Sequence, residues 1–274
     1  MQLPVNPPPF DELLAATFAQ GPEIFSRLMA GVGDVDDQGR YLHWDKLRHL
    51  PPPDGLNSEQ WWLGIKLARR KNFKSLPLKD RNARPFLYGQ PAQVQKELHW
   101  LDRHASGSIQ AEEAITDPQT RNTFLIRSLI EEAISSSQLE GASTTQNVAK
   151  EMIRQAREPR DKSERMILNN YKAMRFIRDS RNDPLTPSLV FELQRILTEG
   201  TLDSESQAGR FRRADEPIQV VDNVSHVVLH IPPPAQVLPA RLQALCDFAN
   251  AESTRTEDPG IFLHPAIKAI ALHF

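Results

Sequence analysis

The chain has 274 residues, of which 39% are hydrophobic and 25% charged, an ordinary composition for a folded protein with room for one large domain or two smaller ones. Lys and Arg (33) nearly balance Asp and Glu (35) to a net charge of −2, which removes the electrostatic case for nucleic acid as the main partner. A single cysteine, Cys246, excludes an internal disulfide and a cysteine-based zinc site and fits a reducing compartment.

The N-terminus, Met1-Gln2-Leu3-Pro4, has no basic start followed by an apolar run, so no secretory signal is expected there. No apolar stretch reaches the ~18 residues a membrane span needs. A cytoplasmic protein without membrane partners is expected. Prolines, 22 in all, cluster at Pro7-Pro8-Pro9, Pro51-Pro52-Pro53 and Pro232-Pro233-Pro234 and mark joints between elements.

Phe10 to Ala30 carries apolar residues at helical spacing (Leu13, Leu14, Phe18, Ile24, Phe25, Leu28, Met29), and Gly21-Pro22 splits the stretch into two short helices. Gly31 to Gln38 reads as a turn, and Tyr41 to Leu50 as a short segment that Pro51 ends. Asn57-Ser58 caps a helix running to Arg70. The basic stretch from Lys66 to Lys74 reads as a solvated helix end, with cations favoured at the C-terminus, rather than as a nucleic-acid contact. Pro77, Pro85 and Pro91 interrupt the chain after Lys74, and Ala92 to Arg103 is helical again. Ala105-Ser106-Gly107-Ser108 predicts a boundary near residue 110, separating an N-terminal helical region (1–110) from a second domain (111–274).

Asp117-Pro118 is a helix start, and the helix runs to about Leu139, with Gly141 as its stop. Helices come next at about 144–157, 163–178 and 187–198. Ile218 to Val221 and His226 to Ile231 are β-branched runs around Asp222-Asn223-Val224-Ser225, a hairpin signal. Val237 to Asn250 returns to helix. His264-Pro265 opens a last helix, apolar all round, which is expected to be buried. Its stop at Phe274 without a cap predicts a fragment, a frameshift product or a shortened chain. The expected fold is mainly α: a helical bundle with one β-hairpin, preceded by a smaller helical region.

Ser136 and Glu140 lie four apart, on one face of the helix that ends at Gly141. A carboxylate in that last turn faces the negative end of the helix dipole, at a cost of ~0.3–1 kcal/mol. Either a cation meets Glu140, or the residue is solvent-exposed and tolerates the cost.

Ser136-Ser137-Gln138-Leu139-Glu140-Gly141 matches the inhibitory motif [S/T]xxxE[G/N] of the Fic (Fido) family. Glu164 with Asn170-Tyr171-Lys172-Ala173-Met174 looks like that family's next helix, and Gly209-Arg210-Phe211-Arg212 is similar to the GxxR segment before its flap. The hairpin residues Ile218, Val220, Val221, Val227, Val228 and Leu229, with the prolines after them, look like the target-docking flap. His264-Pro265 through Phe274 looks like the helix that feeds the active site, so residues 115–274 resemble a partial Fic domain with an inhibitory helix. Tyr41-Leu42-His43-Trp44-Asp45 and Trp61-Trp62 also resemble the N-terminal region of one Fic subgroup.

The resemblance implies protein AMPylation, the transfer of AMP from ATP, with Mg²⁺, to a hydroxyl side chain of a target protein. The family motif HPFxxGNGR supplies a His base, a phosphate-holding turn and an Arg. In members with the inhibitory motif, its Glu pairs with an active-site Arg and keeps the γ-phosphate from its productive pose. The flap holds the target as an added strand. HPFxxGNGR is absent here, since Ala266-Ile267-Lys268 comes after His264-Pro265. The chain as given is therefore expected to have no catalytic residue, to bind neither ATP nor Mg²⁺ productively, and to transfer no AMP. The alternative is a non-enzymatic dimerising (homodimeric) or regulatory module, or the product of a truncated pseudogene.

His226 and His230 have a zinc spacing on a helix, but in a strand they stand ~13 Å apart, whereas both ligands of one zinc must lie within ~2.1 Å of it. No metal site is expected. GxSxG, GxxxxGK[ST] and GxGxxG are all missing.

Overall fold

Asn57 opens the helix on which the N-terminal half is built. Its Oδ1 accepts from the Gln60 amide at 2.8 Å, while Gln60 Oε1 accepts from the Asn57 amide at 2.8 Å, a reciprocal capping box. The structure, a computed structural model, describes residues 4–105, 118–222, 226–251 and 262–273. The expected boundary at Ser106–Ser108, the Asp117 cap, the Asn223–Ser225 turn and Phe274 lie outside the described residues. The chain divides into two compact units, Met1–Ser108 and Ile109–Phe274.

The first unit contains α1 (Phe10–Ala19), α2 (Pro22–Gly31), the short α3 (Trp44–Leu47), α4 (Ser58–Arg70), β1 (Lys74–Lys79), β2 (Pro85–Tyr88) and α5 (Ala92–His104). Helices α1, α2 and α3 all pack on α4. Its Trp61, Trp62, Leu63 and Ile65 bury against Leu13, Leu28, Trp44 and Leu47. Leu63 and Ile65 are fully enclosed, which stabilises the unit by roughly 1.5–3 kcal/mol each. At Gly64 a Cβ would come within 2.8 Å of the Val32 side chain, so a glycine lets the two segments touch. The basic stretch is solvated only in part: Arg70, Lys71 and Lys74 are exposed, but Arg69 is buried.

A second hairpin, not expected from the sequence, corrects the single-hairpin reading. Antiparallel strands β1 and β2 pair Lys74 with Tyr88 and Lys79 with Pro85, with an irregularity between Ser75 and Lys79 that contains Pro77. A two-stranded sheet has only edges, so both strands tolerate a proline. The turn is made by Asp80, whose Oδ1 accepts from the amides of Asn82 (2.8 Å) and Arg84 (2.9 Å). Asp36 does the same for Gln38 (3.1 Å) and Arg40 (2.7 Å). Both five-residue loops put their fourth residue, Gly39 or Ala83, at positive φ (73° and 61°).

The second unit contains α6 (Pro118–Leu139), α7 (Gln146–Arg154), α8 (Lys162–Asp179), α9 (Pro187–Thr198), β3 (Val220–Val221), β4 (Val228–His230), α10 (Leu238–Asn250) and α11 (Pro265–His273). Helix α6 packs on α7 and α8, and α8 on α9, α9 on α10 and α10 on α11. Ile130 and Ile134 of α6 meet Ala149 and Met152 of α7 and Ile167 of α8. Asp161 Oδ1 caps α8 by accepting from the Glu164 amide at 2.8 Å, and Thr186 Oγ1 caps α9 through the Leu189 amide at 3.2 Å. The fold is mainly helical. Among the described residues no helix is long and apolar enough to cross a membrane.

Helix α11 departs from the sequence expectation of a buried element: none of its described residues is buried, and Ile270 is 53% exposed. Its Ile267, Ile270 and Leu272 are left without full cover among the described residues. Among the described residues, α10 packs on it.

Candidate functional site

The exit of α6 is built by three backbone hydrogen bonds. The Glu140 amide donates to Ser136 O (3.2 Å), the Gly141 amide to Gln138 O (3.1 Å) and the Ala142 amide to Ser137 O (2.9 Å). The last two form a Schellman motif, with Gly141 at φ 99° as its left-handed residue. Ala142 then turns inward and is buried with Ile130 and Met152, which fixes where the chain leaves the helix.

Two side chains lock this exit from outside. Asn170 Nδ2 of α8 donates to Ala133 O and to Ser137 Oγ, both at 3.3 Å, and Gln138 Nε2 donates to Thr144 O at 2.8 Å. Ser137 is the buried serine of the motif, and Ser136 is half-buried. The spacing singles out Ser136 and misses the structural role of Ser137, whose signal is the Asn170 amide one helix away. Glu140 is exposed, and among the described residues it makes no ion pair. A charge at the wrong end of a helix dipole is thus held on a rigid frame.

The nearby carboxylate Glu164 is in the opposite condition. It is buried and bidentate to Arg157 (2.8 and 3.0 Å), and it also accepts from the Arg160 amide at 2.7 Å. Hydrogen bonding to Arg157 holds its pKa below the usual carboxylate range, against the opposing effect of burial. Glu164 and Arg157 therefore serve the fold, joining the end of α7 to the start of α8.

The segment before β3 is tied at its base. Arg210 forms a bidentate pair with Glu216 (2.6 and 2.9 Å), whose pKa falls to about 2 through that pair and the Arg213 amide. Arg212 donates to the Pro233 carbonyl, linking the two ends of the hairpin, and Phe191 of α9 meets Phe211 edge to face with centroids 4.8 Å apart. Beyond this base the hairpin stands free. Ile218, Val220, Val221, Val227, Val228 and Leu229 are all exposed. Strands β3 and β4 pair Val220 with His230 and Val221 with Val228, with a bulge between. The Asp222 amide donates to Val227 O at 2.9 Å, and His226 sits at φ 56°. Among the described residues β3 and β4 pair only with each other.

His264 begins α11: its Nδ1 accepts from the Ala266 amide at 3.1 Å, and Pro265 fills the first turn. Lys268 Nζ donates to Ala251 O at 2.6 Å and lies 5.6 Å over the Phe248 ring, so a cation docks α11 on the C-terminal end of α10. Among the described residues the packing runs from α6 through α8, α9 and α10 to α11, without a main interface between α6 and α11. The structure thus joins Ser136, Glu140 and Gly141 in one helix exit and gathers the six residues expected to form a flap on one hairpin. It does not bring Glu140 against His264 or Pro265. Among the described residues no group of three or more His, Cys, Asp or Glu side chains could hold a metal ion. No protein-family model matches the chain, and no curated protein matches it at a significant level.

Proposed function

We propose that this chain is the inhibitory and target-docking part of a Fic-type system for protein AMP transfer. Glu140 is its inhibitory carboxylate, and the 218–231 hairpin is its docking strand for a target segment. One observation supports this above the others: Glu140 is exposed and makes no ion pair among the described residues, on a helix exit fixed by a Schellman turn and by Asn170. A glutamate serving only stability would be placed nearer a cation or a helix N-terminus.

The residues of 1–274 do not form an ATP–Mg²⁺ site of the family's kind, because HPFxxGNGR is not among them. No step of the transfer is therefore assigned to this chain. Its contributions are to hold a carboxylate where an arginine of the catalytic segment would meet it, and to orient a bound target strand.

The test joins 1–274 in frame to the catalytic segment of a Fic protein, beginning at HPFxxGNGR. AMP incorporation from α-labelled ATP is then measured with and without Glu140→Gly. Transfer should rise ~10–100-fold in the variant, the release of ~1.4–2.7 kcal/mol of inhibition. Equal transfer by both proteins, or silence in both, overturns the reading. A non-enzymatic dimerising module is favoured by the uncovered apolar residues of the hairpin and α11; sedimentation of 1–274 as a dimer would support that alternative.

A further inference from the structure

A cavity of about 530 Å³ lies in the first unit, among the end of α4, the β1–β2 hairpin and the start of α5. That volume is typical of small-molecule sites. Two of the groups lining it have hydrogen-bonding capacity that the protein leaves unused.

The first is Arg69, which is 6% exposed. Its Nε donates to Asp34 O (2.8 Å) and its Nη2 to Leu42 O (3.0 Å), and its guanidinium lies 3.6 Å from the Tyr41 ring centroid. Among the described residues no carboxylate pairs with it. Buried charges are normally paired directly, whereas Arg69 is offset by two carbonyl dipoles, the ring faces of Tyr41 and Trp62 and the Asp34 carboxylate acting without a direct ion pair. The second is the Tyr88 hydroxyl, whose oxygen is buried and has no hydrogen-bond partner among the described residues. A buried hydroxyl left unbonded is uncommon.

The charge around the cavity is mainly positive. Lys71 and Lys74 are exposed at the cavity, so three cations line it against one carboxylate, Asp34. Phe73 contributes an apolar wall, and a Cβ at Gly89 would come within 2.9 Å of its ring, so the glycine lets the hairpin lie close behind it.

We infer that this cavity binds a small organic oxyanion, a phosphate or carboxylate that meets Arg69 and the Tyr88 hydroxyl and lays an apolar portion against Phe73. The site is in the first unit and is independent of the Glu140 reading.

The probes are phenyl phosphate and benzoate, titrated into isotope-labelled 1–274 at fixed ionic strength and followed by amide shifts. At least one should saturate by ~10 mM, with the largest shifts at Asn72 and Gly89. Arg69→Ala would risk the fold, so two other variants carry the test. Tyr88→Phe removes a hydroxyl that has no partner among the described residues and should weaken binding ~3–10-fold, and Lys74→Glu reverses a charge on an exposed strand end and should weaken it ~10-fold or more. Both should melt close to the parent chain. Absence of saturation by ~20 mM for both probes, or affinity unchanged in both variants, overturns the inference.

Discussion

Gly141 and Ala156 occupy the same place in two Schellman turns, and exchanging their residue types should shift stability in opposite directions. At the end of α7 the Ala156 amide donates to Ile153 O (3.3 Å) and the Arg157 amide to Met152 O (3.0 Å), the pattern that Gly141 and Ala142 make at the end of α6. Gly141 has φ 99° and Ala156 has φ 51°. A Cβ at Gly141 would meet nothing within 4 Å, so Gly141→Ala adds backbone strain without overlap. That strain is worth about 1–2 kcal/mol for a residue forced into the left-handed region. Ala156→Gly removes a similar strain but gives the unfolded chain more freedom, leaving a net gain of about 0.5–1 kcal/mol. Near the midpoint ~1 kcal/mol moves Tm by roughly 2–4 °C in a unit of this size. Thermal unfolding by circular dichroism should therefore show Gly141→Ala down by about 2–8 °C and Ala156→Gly up by about 1–4 °C. Amide exchange at Glu140, Gly141 and Ala142 should accelerate in the first variant alone. An unchanged Tm for Gly141→Ala, or a lowered one for Ala156→Gly, would refute the assignment of strain to these turns.

Asn57→Ala should cost about 1–2 kcal/mol by opening the capping box of α4, read as a lower urea midpoint of the first unit. Glu140→Ala should leave Tm within about 2 °C, since an exposed carboxylate with no ion pair contributes little to folding. The second unit should lose stability in acid. Glu164 and Glu216 both have folded pKa values below their unfolded ones, so their stabilisation is full above pH about 4.5 and fades as pH falls toward the folded values, about 2 for Glu216. Melting of Glu164→Gln against the parent chain from pH 7 to pH 2.5 should show a gap that narrows with acid; a constant gap would contradict the pairing.

Helices were the legible part of this chain. Gly21-Pro22, Asn57, Pro118 and Gly141 each carry a local rule for starting or stopping a helix, and the elements begin and end beside them. The β1–β2 hairpin was hidden because Pro77 and Pro85 argue against strands, and only tertiary context makes both strands edges. Its turn was nonetheless written in the sequence, since Asp80 to Arg84 repeats the Asp-x-x-(Gly/Ala)-Arg pattern of Asp36 to Arg40. The buried state of Arg69 was also hidden. Charge runs are read as solvated, and its partners, the carbonyls of Asp34 and Leu42, lie 35 and 27 residues away. At the α6 exit the spacing identified Glu140 and Gly141, but not Ser137 and Asn170, because their contact joins helices 33 residues apart in sequence.

The most direct test concerns the charge of Glu140 rather than its bulk. In 1–274 joined to a Fic catalytic segment, AMP transfer is compared among the parent, Glu140→Gly and Glu140→Gln. If the carboxylate restrains an arginine, the neutral isostere should release transfer nearly as fully as glycine does. A glutamine variant as silent as the parent, beside an active glycine variant, would contradict an ion pair and leave only steric blockage.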